Sequence, residues 1–202
     1  MTLTTCVPRV HLLVSEQYRL DLLPDLAGAG VDCFQVRAKG LGTRELVGLV
    51  DSVIDRVHDL GARVVVNDRV DVALACGADG VHVGARDLDV ADARRIGPDL
   101  LIGATCRTRA DVAAAQERGA DYAGFGPVFA SSSKAGLPAP LGPPSLAAAT
   151  GSLPLVAIGG IDAGNAAQVR AAGAHGVAVI GAIWRHPDPV GAAEELVAAF
   201  AR

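Results

Sequence analysis

Two carboxylates stand just beyond two successive apolar runs: Asp68 after "RVVVN" and Asp87 after "GVHVGAR". Carboxylate oxygens of this kind suit a hard cation such as Mg2+, which keeps several waters and takes further ligands from phosphate. Gln35, Arg37 and Lys39 alternate after a third apolar run and so share one side of an extended segment. With Lys134 they offer phosphate one planar guanidinium fork and two point charges. Thr105, Ser131 and Ser133 add hydroxyls, and Asn67 an amide beside Asp68. Gly160 in "AIGGID" and Ile180–Gly181 in "AVIGAI" expose backbone N–H groups that fit a second phosphate. Metal and lysine together can spread the charge of a departing diphosphate, so these residues fit loss of diphosphate from a carbon.

Each group also has a plainer explanation. Asp68 can cap a helix starting near Val70, a single lysine is ordinarily a solvated surface residue, and Gly-Gly makes a tight turn. The sequence holds no Ser-His-Asp order, no nucleophilic cysteine setting and no zinc-like histidine spacing, which disfavours covalent and zinc chemistry. His82, inside an apolar run, reads as a satisfied core histidine or a support for other groups.

The elements that must position these residues alternate throughout. Strands are expected at 10–14, 33–36, 63–66, 80–83, 101–104, 122–125, 155–158 and 176–179. Helical spacing is expected over 18–27, 43–60, 70–75, 90–96, 109–118, 145–149, 165–171 and 189–200. Eight such units define an α/β fold, a single (β/α)8 TIM barrel over residues 1–202. Active sites of this fold use the loops after the strands, and every candidate site residue named above falls at or just beyond the C-terminal end of a strand. The opposite loops carry a repeat: "AGVDCFQV", "CGADGVHV", "RGADYAGF" and "AGAHGVAV", with glycines at 30, 77, 119 and 173. Here Gly ends a helix in the left-handed conformation, and Asp32, Asp79, Asp121 and His175 are expected to be structural turn residues.

Composition is consistent with this picture. Half of the 202 residues are apolar but only 3% are aromatic, so the core is built from Val, Leu, Ile and Ala, as in covered parallel sheets. The net charge of −4 supplies no global basic field, so nucleic acid and membrane surfaces are not expected partners. Four scattered cysteines without a Cys-x-x-Cys pair point to reduced thiols and a cytoplasmic location, and no apolar run is long enough to span a bilayer.

In order, "QVRAK", "NDR", "GVHVGARD", "GPVFASSSK" and "AIGGI" resemble the thiamine phosphate synthase family, from about Val10 to the C-terminus. The resemblance implies a transferase of thiamine biosynthesis. It joins a pyrimidine diphosphate to a thiazole phosphate, using Mg2+ and releasing diphosphate through a pyrimidine carbocation. It further implies that Gln35, Arg37, Lys39, Asn67 and Lys134 hold the pyrimidine diphosphate and that Asp68 and Asp87 hold the metal. Thr105, Arg37 and Lys134 are the expected catalytic groups, with Thr105 where the family has a serine near the diphosphate. Ser131 and Ser133 replace threonines that contact the thiazole, while Gly160, Ile180 and Gly181 would cradle its phosphate. Ala85 stands where Gln is common, and Gly181 where Ser is common. A thiazole tautomerase branch of the same superfamily is the alternative enzyme, but it tends to place a histidine where Pro127 stands. A barrel that only binds a phosphorylated ligand is the third reading. The expected partners are the two small molecules, with a homo-oligomer left open.

Overall fold

The computed structural model of the protein describes residues 6–131 and 138–201. Its strands are β1 (Val10–Val14), β2 (Cys33–Val36), β3 (Arg63–Asn67), β4 (Gly80–Val83), β5 (Leu101–Cys106), β6 (Tyr122–Phe125), β7 (Leu155–Ile158) and β8 (Gly176–Val179). They pair in parallel in chain order, and β8 returns to β1, closing the barrel. All eight fall where alternation and β-branching place them. Two run further than expected, because Asn67 pairs with His82 and Cys106 with Phe125 at the C-terminal rim.

The helices are α1 (Leu23–Gly28), α2 (Thr43–Val57), α3 (Val70–Cys76), α4 (Val90–Ile96), α5 (Arg109–Glu117), α6 (Gly142–Ala149), α7 (Ala166–Ala171), α8 (Gly181–Trp184) and α9 (Pro189–Ala201). The first helix begins later than its spacing predicts: a 3-10 turn at Leu20–Leu22 precedes it, and Pro24 sits in its first turn. Proline lacks the N–H that a helix interior needs but not the one a first turn leaves unpaired. For the same reason Pro143 and Pro144 open α6, three residues earlier than expected. The short α8 has too few residues for periodicity to show it and was not anticipated.

Packing divides strand residues by parity. Val10, Leu12 and Val14 face outward into a shell shared with helix residues such as Leu46, Leu49, Val50, Val53 and Val57 of α2. Those five recur at helical spacing, and full burial of each such side chain contributes about 1.5–3 kcal/mol. Leu13, Cys33, Val65, Leu101, Tyr122, Val156 and Ala178 face inward and fill the barrel. Glycines make the space for its bulkiest members. A Cβ at Gly103 would collide with the phenol end of Tyr122, and one at Gly124 would lie 2.7 Å from His82 Cε1.

The repeated turns have the structural role expected of them. Asp32 accepts hydrogen bonds from the N–H groups of Arg9 and Val10, Asp79 from Val64 and Asp121 from Ile102, at 2.7–3.1 Å. Each carboxylate thus ties the start of its own strand to the start of the strand before. His175 closes the set through a 2.8 Å contact to the Val7 carbonyl. The two-unit repeat is a set of clamps at the N-terminal end of the barrel.

Candidate active site

The C-terminal ends of the strands open into a cavity of about 630 Å³. Gln35, Arg37, Lys39, Asn67, Asp68, Asp87, Thr105, Ser131, Gly160, Ile180 and Gly181, eleven of the expected site residues, line it. Ser133 and Lys134 lie outside the described residues.

One wall is a chain of polar contacts from β2 to β4. Gln35 Nε2 donates to Asn67 Oδ1 at 2.8 Å, Asn67 Nδ2 donates to Asp68 Oδ1, and Lys39 Nζ pairs with Asp68 Oδ2 at 2.8 Å. Asp68 caps no helix. Its backbone is left-handed (φ 67°), alone among the described non-glycine residues, and its N–H donates to the His82 carbonyl at 2.8 Å. That strained conformation turns the carboxylate over the barrel mouth instead of along α3. Asp87, in the loop after β4, accepts from the Gly84 N–H at 2.9 Å and brings its carboxyl within hydrogen-bonding reach of Asp68. Desolvation and the neighbouring Asp68 hold the Asp87 carboxyl above its ordinary range, and Lys39 only partly opposes them. Two carboxylates converging on one spot repel each other unless a proton or a cation lies between them. Among the described residues no third acidic or soft ligand joins them, so a bound metal would complete its shell from water and ligand oxygens. An all-oxygen, two-carboxylate donor set of that kind fits Mg2+.

The opposite wall is backbone. Gly159 and Gly160 both have positive φ, 100° and 64°. A Cβ on Gly159 would stand 2.5 Å from Pro127 Cβ, and one on Gly160 would meet the Ala130 carbonyl, so only glycine lets β7 run on beside the segment 126–130. Asn165 fastens this turn by donating to the Gly160 carbonyl at 2.8 Å. Across from it, Ile180 and Gly181 lead into α8, which Trp184 anchors through a 2.8 Å bond to the Leu13 carbonyl and a stack on Tyr18. The glycine-rich backbone of this wall suits a phosphate, as expected of loops after the last two strands.

Between the walls lies a floor that sequence reasoning largely missed. His11 and Tyr122 reach the cavity from inward positions near the middle and start of their strands. The His82 ring makes contacts to Tyr122 Oη at 3.2 Å and Thr105 Oγ1 at 3.0 Å, so it is the supporting histidine its sequence position allowed. Burial first, then the nearby His11, lowers the His82 pKa to about 4, and it is neutral at physiological pH. Arg107 also lines the cavity and binds the carbonyls of Gly126 and Ala139, each at 3.2 Å. No single-strand pattern marks His11, Tyr122 or Arg107, because their convergence depends on register. Arg69 is structural: it pairs with Asp71 and donates to Thr43 Oγ1 at 3.2 Å.

Fold and site therefore define a (β/α)8 barrel whose rim is equipped for anionic ligands. Residues 9–183 match the family model described as thiamine monophosphate synthase, and the chain belongs to that family. It is 44% identical over 182 residues to a thiamine-phosphate synthase of Chlorobium luteolum, covering 89% of this chain and 86% of that protein. It is 47% identical over 191 residues to a thiamine biosynthesis bifunctional protein of Symbiobacterium thermophilum, covering 93% of this chain but 40% of that longer one. A solved thiamine phosphate pyrophosphorylase of Pyrococcus furiosus superposes with a TM-score of 0.87 at 31% identity, covering 96% of this chain and 95% of that one.

Proposed function

We propose that this protein is a thiamine-phosphate synthase, which transfers the pyrimidinylmethyl group from its diphosphate to the nitrogen of a thiazole phosphate and releases diphosphate. The observation that carries the reading is the convergence of Asp68, Asp87 and Lys39 at the mouth of a cavity whose opposite wall is glycine backbone. Asp68 and Asp87 would hold Mg2+, which when bound neutralises diphosphate charge and makes it a better leaving group. Gln35 and Asn67, locked to each other, present fixed amide groups to the pyrimidine. Arg37, Lys39 and Lys134 take the diphosphate oxygens, and the Thr105 hydroxyl donates to the same group as its bond to carbon breaks. Gly160, Ile180 and Gly181 hold the thiazole phosphate with backbone N–H groups, so the ring nitrogen meets the pyrimidine carbon without repositioning. Ser131 and Ser133 contact the thiazole. Free Cys6, Cys33, Cys76 and Cys106 support a cytoplasmic enzyme, and no described helix is long and apolar enough to cross a membrane.

The deciding experiment is mass spectrometry of the protein incubated with both substrates and Mg2+. Thiamine phosphate and inorganic diphosphate are expected, and excess EDTA should abolish both. An absence of product while both ligands bind would refute the reading. Conversion of the thiazole carboxylate alone, followed by NMR, would instead identify an isomerase, although Pro127 on the cavity wall carries no proton to move.

A further inference from the structure

We propose that His82 is a positioning residue which, held in one tautomer by Tyr122, aims the Thr105 hydroxyl hydrogen at the departing diphosphate. The proposal rests on the reading above, in which Thr105 meets that group.

The argument is one of hydrogen counting. The Tyr122 side chain is only 1% exposed, at the floor of the cavity, and among the described residues the one hydrogen-bond partner of its phenol oxygen is His82 Nδ1, at 3.2 Å. A buried O–H with a single partner donates to it, because accepting instead would leave its own hydrogen unpaired. Burial raises the Tyr122 pKa well above its ordinary value, so that hydrogen is retained. Nδ1 is then the acceptor, and the proton of the neutral imidazole must reside on Nε2. Nε2 stands 3.0 Å from Thr105 Oγ1 and therefore donates to it. A hydroxyl that accepts from one side donates elsewhere. Thr105 is exposed to the cavity, so its hydrogen points to whatever anion lies there. The order Tyr122, His82, Thr105, ligand leaves each group one direction to donate. No proton is transferred, and the orientation exists before the substrate arrives.

The barrel is built around this chain. The three groups come from β6, β4 and β5, and glycine occupies each place where their rings would otherwise collide. Gly103 accommodates the Tyr122 ring and Gly124 the His82 imidazole. Both rings also pack tilted against each other, with centroids 5.6 Å apart.

The test combines a spectrum with a double-mutant cycle on the full-length protein. Long-range 1H–15N NMR of the histidine rings, with the His82 signal assigned by its loss in His82→Gln, should show the Nε2–H tautomer, and Tyr122→Phe should mix the two tautomers. In the synthase assay His82→Leu should lower kcat about tenfold at unchanged KM for the thiazole phosphate, as for loss of one well-oriented hydrogen bond to a charged group. His82→Gln, which keeps a donor on the Thr105 side, should recover most of that rate. In a Thr105→Ala background His82→Leu should add less than about twofold, because the two act as one unit. An Nδ1–H tautomer, or a His82→Leu penalty as large in Thr105→Ala as in the parent, would overturn the proposal. Thr105→Ala with undiminished turnover would overturn the reading of the site itself. If His82→Leu does not fold, Tyr122→Phe, His82→Gln and the tautomer spectrum decide the matter.

Discussion

Replacing Asp121 by alanine tests whether the two ends of this barrel have separate jobs. The Asp121 carboxylate accepts from the buried Ile102 N–H at 2.7 Å and from Arg94 at 2.6 Å. Arg94 keeps other acceptors in the carbonyls of Pro98, Leu100 and Gly119, and its pair with Asp121 is half-exposed, so losing it costs about 0–1 kcal/mol. The Ile102 amide has no such alternative. Hydrogen bonds to charged groups contribute about 1.5–3 kcal/mol, and a buried donor left unpaired bears its full desolvation penalty. The amide decides the outcome, and the expected loss is about 2–3 kcal/mol. For a chain of this length each kcal/mol lowers Tm by about 2–4 °C, so thermal unfolding should shift down by about 4–12 °C. Asp121→Asn, which keeps an acceptor oxygen, should lose roughly half as much. Turnover at 25 °C should stay within about twofold of the parent, because neither Asp121 nor the other clamp residues Asp32, Asp79 and His175 line the cavity. A Tm change within about 2 °C would refute the clamp, and a large fall in kcat of the folded variant would refute the separation.

Two further outcomes concern titratable groups. Because the folded pKa of Asp87 is raised by desolvation and by Asp68, its carboxyl favours folding most below the ordinary aspartate pKa, and that contribution is lost as pH rises through the folded value. Asp87→Asn should therefore melt higher than the parent in EDTA at pH 7, with the gap closing toward about pH 4, while its Mg2+-dependent turnover collapses. An unchanged Mg2+ titration would remove Asp87 from the metal site. His11, whose pKa burial pushes from 6.5 down to about 4, stabilises the fold above its ordinary value, and that contribution is lost as pH falls through this window. His11→Phe keeps the ring against Tyr122, so its Tm should fall less steeply from pH 6.5 to 4.5, and an identical slope in both proteins would refute this assignment.

Much of the molecule is written locally. Alternating Val and Ile runs and Gly-Ala-Asp turns predict eight βα units, since strand periodicity and left-handed glycine are properties of a few neighbouring residues. Site residues could be sorted the same way, because in a parallel barrel everything after a strand faces one end. The failures are equally physical. α8 is a single turn with no period to detect, and α1 and α6 start where proline, not hydrophobic spacing, permits.

What the chain order alone determined is the fold and which end of the barrel carries polar groups. What only the closed barrel decided is which of those groups meet. Asp68 and Asp87 lie nineteen positions apart in sequence and could each have capped a helix. The β3–β4 register and the left-handed turn at Asp68 bring their carboxyls together instead. His11, His82 and Tyr122 belong to three strands of unremarkable pattern, yet they form one polar floor because inward positions at similar depth converge on a common axis. Local patterning acts through backbone propensity over a few residues, whereas these contacts depend on strand register and closure, which only the packed chain supplies.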